Sequence, residues 1–256
     1  MKPQYTIRTA GPSDVPRLVE MNHAAYPDLV AEGVVFDGAQ LAAHQAVFPE
    51  GQLVLVDAAG LVVGALSTLI VSSAEALVPH TWVGLTSHGT FAKHDPRGDT
   101  LYLADVYSDP AARGTGTGDA LYDALFALCK RKKLAHVAAG GRLYGYSAVA
   151  KELSPEDYVE EVLRGERKDR VLTSQLRAGF VVKDVLSNYL DDWRSGSFAT
   201  LLVWENRELS RGLTASPSGD YLTVDGPAPL RSNPPRPVGQ SKQPSPLPAT
   251  LKTSIP

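Results

Sequence analysis

The run Arg113-Gly114-Thr115-Gly116-Thr117-Gly118 is the densest chemical signal in the chain. It follows an apolar stretch, Thr100 to Ser108, and precedes an amphipathic one, Thr117 to Lys132. Glycines permit a tight turn and close backbone approach. The N–H groups at the helix start have no intrahelical partner, and the helix dipole favours negative charge there. Arg113 adds a cation that pairs well with phosphate. A pyrophosphate is the natural guest of such a loop.

Three phosphate loops compete for this pattern. A P-loop needs Gly-Lys-Ser/Thr at its end, whereas Asp119 follows Gly118. A Rossmann fingerprint needs Gly-x-Gly-x-x-Gly in the first strand–helix unit, with a ribose-binding acid on a second strand. Here the spacing is Gly-x-Gly-x-Gly, in the middle of the chain. The remaining pattern is Pro110-x-x-Arg113-Gly-x-Gly-x-Gly118 after a strand and before a helix.

The elements around the loop alternate. Strands are expected at Tyr5–Arg8, Gln52–Asp57, Leu61–Val71, Thr100–Ser108, Ala135–Ala139, Phe180–Leu190 and Phe198–Trp204. Helices are expected after Gly11, with Ser13 as N-cap, and over Gly38–Ala46, Thr117–Lys132, Pro155–Leu163 and Asp169–Ala178. Ser72–Asp99 and Gly140–Tyr146 read as loops. The first of these is long enough to suggest a functional role. The order is α/β, with antiparallel strands first and one strand–helix–strand crossover. From about 207 the chain turns rich in Pro, Ser and Gly, so 1–206 reads as one domain and 207–256 as an extended or disordered tail.

Composition sets outer bounds. Apolar residues form 43% of 256 residues, enough for a core, and the formal charge is −3. That balance gives no bulk reason to expect nucleic-acid binding. The lone Cys129 sits at a core position of the long helix and cannot form a disulfide within the chain. No apolar stretch reaches the roughly 20 residues a spanning helix needs, and the first residues lack an apolar signal region. The expectation is a cytoplasmic protein, with no membrane contact and no metal. His80, His88 and His94 have spacings that fit no simple metal site.

The glycine loop resembles the acyl-CoA loop of the GNAT N-acetyltransferases. So does the surrounding order, down to the closing Leu176-Arg177-Ala178-Gly179-Phe180. The resemblance covers about 1–206. The segments His80-Thr81-Trp82, His94 to Tyr102, Gly140-Gly141-Arg142 and Val171 to Arg177 are similar to a GNAT subgroup often fused to nitrilase-type carbon–nitrogen hydrolases. Such a hydrolase needs a nucleophilic cysteine, and Cys129 does not suit that role. The resemblance implies a mixed, mostly antiparallel sheet of six or seven strands, splayed at a central parallel pair, with helices on both faces. It implies acetyl-CoA as co-substrate, held by Arg113, Gly114, Thr115, Gly116, Thr117, Gly118 and Asp119. The backbone of Val106, Tyr107 and Ser108 would hold the pantetheine and the thioester.

GNAT catalysis is direct attack of an amine on the thioester, and a carboxylate commonly takes the amine proton. Asp105, in an otherwise apolar strand and on the face of Tyr107, is the candidate base. Burial would raise its pKa towards neutrality. The other reading is a salt-bridged structural carboxylate. Many GNAT enzymes carry a thiol-protonating tyrosine where this chain has Gln175. Tyr144 and Tyr146 stand as substitutes or as substrate-lining residues; the alternative is simple packing. Arg142 and His94 are candidates for the substrate, against a surface ion pair and a turn residue.

The expected function is acetyl transfer to a primary amine of a small molecule. The competing reading is a non-catalytic acyl-CoA-binding module that regulates a partner such as a separately encoded nitrilase-type hydrolase. A third is a protein acetyltransferase that recruits substrate through its Pro-rich tail. A sheet-mediated homodimer fits the fold.

Overall fold

Strand and helix periods in the sequence become two helical layers around one sheet. The computed structural model describes residues 5–30 and 33–209. The strands are β1 (Thr6–Thr9), β2 (Gln52–Val56), β3 (Val62–Val71), β4 (Thr100–Ser108), β5 (His136–Arg142), β6 (Val181–Leu186) and β7 (Ala199–Glu205). The α-helices longer than one turn are α1 (Val15–Ala25), α2 (Pro27–Val30), α3 (Gly38–Val47), α4 (Ser73–Ala76), α5 (Trp82–Thr86), α6 (Thr117–Arg131), α7 (Pro155–Leu163) and α8 (Leu172–Ala178).

The sheet order is β1-β2-β3-β4-β5-β7-β6. Every neighbouring pair is antiparallel except β4–β5. Parallel strands need a long crossover, and α6 supplies it. All ten residues of β3 are buried, so it reads as a continuous apolar run rather than an alternating one. Leu121, Leu125, Leu128 and Cys129 of α6 pack on one face with Leu55, Leu66, Leu101 and Val137. Each such side chain stabilises the fold by about 1.5–3 kcal/mol. On the other face Leu18 and Met21 of α1 and Leu41 of α3 meet Val54, Leu69 and Tyr102.

Two features of β4 open the sheet. Its pairing with β5 covers only Thr100–Leu103 against His136–Ala139. Its pairing with β3 slips between Ser67 and Thr68, so that Ser67 faces Asp105 and Thr68 faces Leu103. Ala104 is the extra residue. A bulge of this kind bends a strand and re-aims its side chains.

The structure departs from the sequence expectations in four places. Ser13 is not a helix cap: Pro12–Asp14 is a 3-10 turn. Asp14 accepts the Gly11 N–H at 2.8 Å and both terminal nitrogens of Arg8. Gly140-Gly141-Arg142 is strand, not loop, paired with Leu201, Thr200 and Ala199 of β7. A Cβ at Gly140 would overlap the Tyr189 ring, and one at Gly141 would overlap Gln175. These glycines serve close packing, not a turn. The segment between Val71 and Thr100 holds α4 and α5 rather than irregular chain. The helix expected from Asp169 starts at Leu172. The expected tail lies almost wholly outside the described residues. The structure continues past 206 to Leu209, with Asn206 buried and its N–H bonded to Ala135 O.

Candidate active site

The glycine loop turns between β4 and α6. Gly114 and Gly116 have φ of 80° and 92°, the left-handed region that L side chains resist. Nothing lies within 4 Å of a Cβ built on Gly114, Gly116 or Gly118, so that side of the loop is open. Among the described residues, the N–H groups of Gly114, Gly116, Thr117, Gly118 and Asp119 carry no hydrogen bond. The loop is braced from behind. Thr115 Oγ1 donates to Ala112 O at 2.6 Å, and Tyr5 Oη lies 2.6 Å from Thr115 Oγ1. Asp109 accepts from the Ala111 N–H and pairs with Arg17. The Arg113 guanidinium reaches Ala25 O at 3.3 Å. The Asp119 carboxylate pairs with Arg177 in solvent, which leaves its N–H for the loop.

Past Leu103 the β5-facing edge of β4 is unpaired. Ala104, Asp105 and Val106 keep exposed surface between the buried Leu103 and Tyr107. Trp82 Nε1 donates to Ala104 O at 2.9 Å, and Tyr26 Oη lies 2.7 Å from Val106 O. The carbonyls of residues 104 and 106 therefore take side-chain donors where a strand partner is missing.

Asp105 sits beside that opening. Asn22 Nδ2 donates to its Oδ2 at 2.8 Å, and Tyr26 Oη lies 2.8 Å from its Oδ1. Both partners come from the end of α1 and the residue after it. Surrounding protein pushes the carboxyl up to about 6; Tyr26, Asn22, the Val106 N–H and the nearby Arg142 charge hold it below what burial alone would give. The Tyr26 hydroxyl has one proton and two acceptors, Asp105 and the Val106 carbonyl. When Asp105 is protonated, its O–H can donate to Tyr26 Oη while Tyr26 donates to Val106 O. The arrangement has a good set of hydrogen bonds in both protonation states, as a proton acceptor requires.

The other residues singled out by sequence fare differently. Tyr107 shares the α1 face with Asp105, as expected, and its hydroxyl donates to Leu18 O at 3.4 Å. Arg142 lies beside the Tyr26 ring, 5.9 Å from its centroid. It is not a free surface cation. Its Nε donates to Asp192 Oδ2 and one Nη to Asp28 Oδ2, both at 2.8 Å, with all three side chains largely buried. Tyr144 packs against Arg142, 5.8 Å away. Tyr146 does not reach the splay: it is buried against Tyr158 and Phe198 and donates to Leu153 O. His94 is remote. It stacks on Phe48 and accepts the Ile70 N–H on Nδ1. Ile70 pairs with Leu101, so about seven residues of β4, roughly 23 Å, separate that end from the glycine loop.

Several site residues carry no motif in the sequence. Asn22 and Tyr26 look like ordinary residues of an amphipathic helix. Tyr102 Oη lies 2.7 Å from Tyr189 Oη and 3.1 Å from His80 Nε2. His80 Nδ1 donates to Val78 O, so Nε2 is the acceptor of that chain. Gln175 is buried, its Oε1 has no hydrogen-bond partner, and the Tyr122 hydroxyl lies beside it. Burial pushes the Cys129 thiol up to about 12, which suits a core residue and not a nucleophile.

No family model matches the chain. It is similar to a Bacillus subtilis protein described as uncharacterized N-acetyltransferase YkwB, at 35% identity over 202 residues, which are 78% of this chain and 88% of the relative. It is also 32% identical over 204 residues to the probable hydrolase YhcX of the same organism, covering 79% of this chain and only 39% of that protein. Among solved structures, the GphF GNAT-like decarboxylase bound to isobutyryl-CoA superposes with a TM-score of 0.67 at 27% identity, over 78% of this chain and 98% of that one. The loading GNATL domain of CurA from Lyngbya majuscula gives 0.69 at 18% identity, over 80% and 99%, a likeness of fold. With a splayed parallel pair, a glycine loop opening the crossover helix and a relative of this closeness over most of its length, the chain belongs to the GNAT superfamily of N-acetyltransferases.

Proposed function

We propose that the chain transfers an acetyl group from acetyl-CoA to a primary amine of a small molecule. The observation that carries this is the placing of Asp105 at the splay, one strand end away from the open glycine loop. In this reading the free N–H groups of Gly114 to Asp119 hold the pyrophosphate, with Arg113 beside it. The edge amides of Val106 and Ser108 take the pantetheine and the thioester carbonyl in place of a neighbouring strand. The CoA complex of the GphF decarboxylase supports an acyl-CoA ligand for this fold.

The two faces of the sheet divide the work. Gly140 faces Tyr189 and the α1 side, whereas Gly141 faces Gln175 and the α8 side. The amine reaches the thioester from the Asp105 side. Its nitrogen lone pair attacks the carbonyl carbon, a C–N bond forms and the C–S bond breaks. Asp105 takes the nitrogen's proton, and the released thiolate takes one from water, since the Gln175 carboxamide is too weak an acid to supply it.

One observation favours a second reading. The GNAT-like decarboxylase is 27% identical, and Gln175 replaces the tyrosine that many transferases of the fold carry. A decarboxylase would act on a carboxylated acyl-CoA and release CO2 without releasing thiol. The two reactions, and the non-catalytic module, separate in one experiment: acetyl-CoA or malonyl-CoA with a panel of amines, read for free thiol and for CO2. Amine-dependent thiol release is the expected result. CO2 from malonyl-CoA without thiol would replace transfer by decarboxylation. Binding with neither product would leave the non-catalytic module. The match to part of a probable hydrolase supports a hydrolase as functional partner.

A further inference from the structure

Beyond Arg142, the wall of the site continues as a group of arginines around one aromatic ring. The Tyr144 ring has three guanidinium groups about it: Arg170 at 4.9 Å, Arg194 at 5.1 Å and Arg142 at 5.8 Å from its centroid. Trp193, 58% exposed, stacks on Arg194 at 4.6 Å. The group adjoins the Asp105 site, because Arg142 also flanks Tyr26.

The ion pairs do not reach every guanidinium. Two carboxylates enter the group, Asp28 and Asp192. Arg142 takes one oxygen of each. Arg194 Nε lies 3.2 Å from Asp28 Oδ2 without the alignment of a hydrogen bond and is buried with no other partner. Arg170 is exposed and pairs with no carboxylate among the described residues. Asp28 and Asp192 thus pair with Arg142 and Arg194, and the exposed Arg170 on the aromatic shelf is the guanidinium with no carboxylate paired to it among the described residues.

The shelf is also built. Asp169, buried, accepts the Gly145 N–H at 3.0 Å and the Val171 N–H at 2.8 Å. Those are the residues that follow Tyr144 and Arg170. It further accepts Tyr158 Oη and the Leu172 N–H. One carboxylate thus clamps two separate chain segments so that Tyr144 and Arg170 meet. An exposed arginine held this way is preorganised for an anion, and guanidinium forks match carboxylates in two-bond geometry.

We infer that Arg170, Arg194 and Tyr144 form a carboxylate-binding subsite of the substrate pocket. The inference rests on the acyl-transfer site at Asp105 and names the class of its substrate: a molecule with a carboxylate placed beyond the reacting carbon. That carboxylate belongs either to the acceptor amine or to the acyl group.

Calorimetry on the full chain tests both sources without needing turnover. In one arm the CoA-saturated protein is titrated with β-alanine and L-aspartate against their amides. In the other the free protein is titrated with malonyl-CoA against acetyl-CoA. The wild type should prefer the carboxylate at least tenfold in one arm. Arg170→Gln should erase that preference, Arg170→Lys should keep part of it, and Lys168→Gln, on the exposed neighbour, should keep all of it. Loss in the first arm puts the carboxylate on the acceptor, and loss in the second puts it on the acyl group. Absence of any preference in both arms, or a preference that survives Arg170→Gln and the Arg170→Gln/Arg194→Gln double variant, overturns the inference. Thiol release is read separately, so a protein that acetylates no amine refutes the transferase reading while the titrations still decide the subsite.

Discussion

A carboxylate at Asp105 costs the fold stability. Its pKa is raised to about 6 by burial, from an ordinary 3.8. The neutral form is therefore the one the folded state prefers. Its contribution is fully present below about pH 4 and is lost as pH rises through about 6. Asp105→Asn keeps the local geometry. Its carboxamide oxygen accepts from Asn22, and its NH2 donates to a Tyr26 hydroxyl that turns to Val106 O. Thermal melts should show this variant more stable than wild type at pH 8, by up to roughly 3 kcal/mol, with the difference vanishing near pH 4. A constant difference across that range would mean the carboxyl is not perturbed. The same shift fixes the kinetics. The apparent kcat/KM for an amine should rise with slope one to a bend near pH 6, before the amine's own titration is counted, and a pH-independent rate between 5 and 7 would remove Asp105 as the base. Asp105 was visible in the sequence because a lone acid breaks an apolar strand. Its holders were not, since Asn22 and Tyr26 meet it only through the packing of α1 on β4.

At the scale of elements, β4 and the turn into α6 make the proposed site. Strand, turn and helix were legible as a unit: Thr100–Ser108 matches the sequence expectation, and α6 begins at Thr117 as expected. The glycine spacing sets the left-handed turns at Gly114 and Gly116. Gly116→Asp should lower acetyl-CoA affinity at least a hundredfold. The left-handed backbone costs about 1–2 kcal/mol for any L side chain, and the carboxylate adds repulsion against the pyrophosphate. Gly116→Ala carries the first cost alone and should lie between the two in a calorimetric titration. Equal affinities for all three proteins would move the pyrophosphate elsewhere. Gly140 and Gly141 misled the reading for a physical reason. Glycine signals a turn in most sequences, but here it makes room for Tyr189 and Gln175 on opposite faces of a strand. The bulge at Ala104 left no trace in the residue types, because it arises from pairing with β3.

For the whole molecule, the sheet acts as a perforated wall. Helices α6, α7 and α8 back one face, and α1 and α3 back the other. The pairing of β4 with β5 stops at Leu103 and Ala139, and the sheet opens there. The α/β class followed from the order of strands and helices, and the splayed pair with helices on both faces from the resemblance carried by the glycine loop and its neighbours. The residues expected to contact substrate did not all follow. Tyr146 and His94 were near the site in sequence or in resemblance only, and the chain path carries them into the core and to the far end of β4. Arg142 is not the surface ion pair that was the alternative reading, since its two buried carboxylate partners come from segments 114 and 50 residues away. Long-range ion pairs of that kind leave no pattern in a single sequence.

Binding at the glycine loop and chemistry at Asp105 are separable. The most direct measurement is on Asp105→Asn at pH 8: acetyl-CoA affinity by calorimetry, and amine-dependent thiol release under saturating acetyl-CoA. The account predicts an affinity within about twofold of wild type and a rate lower by 10²–10⁴-fold, the usual worth of a positioned base. Thiol release retained within threefold, with binding intact, would contradict it.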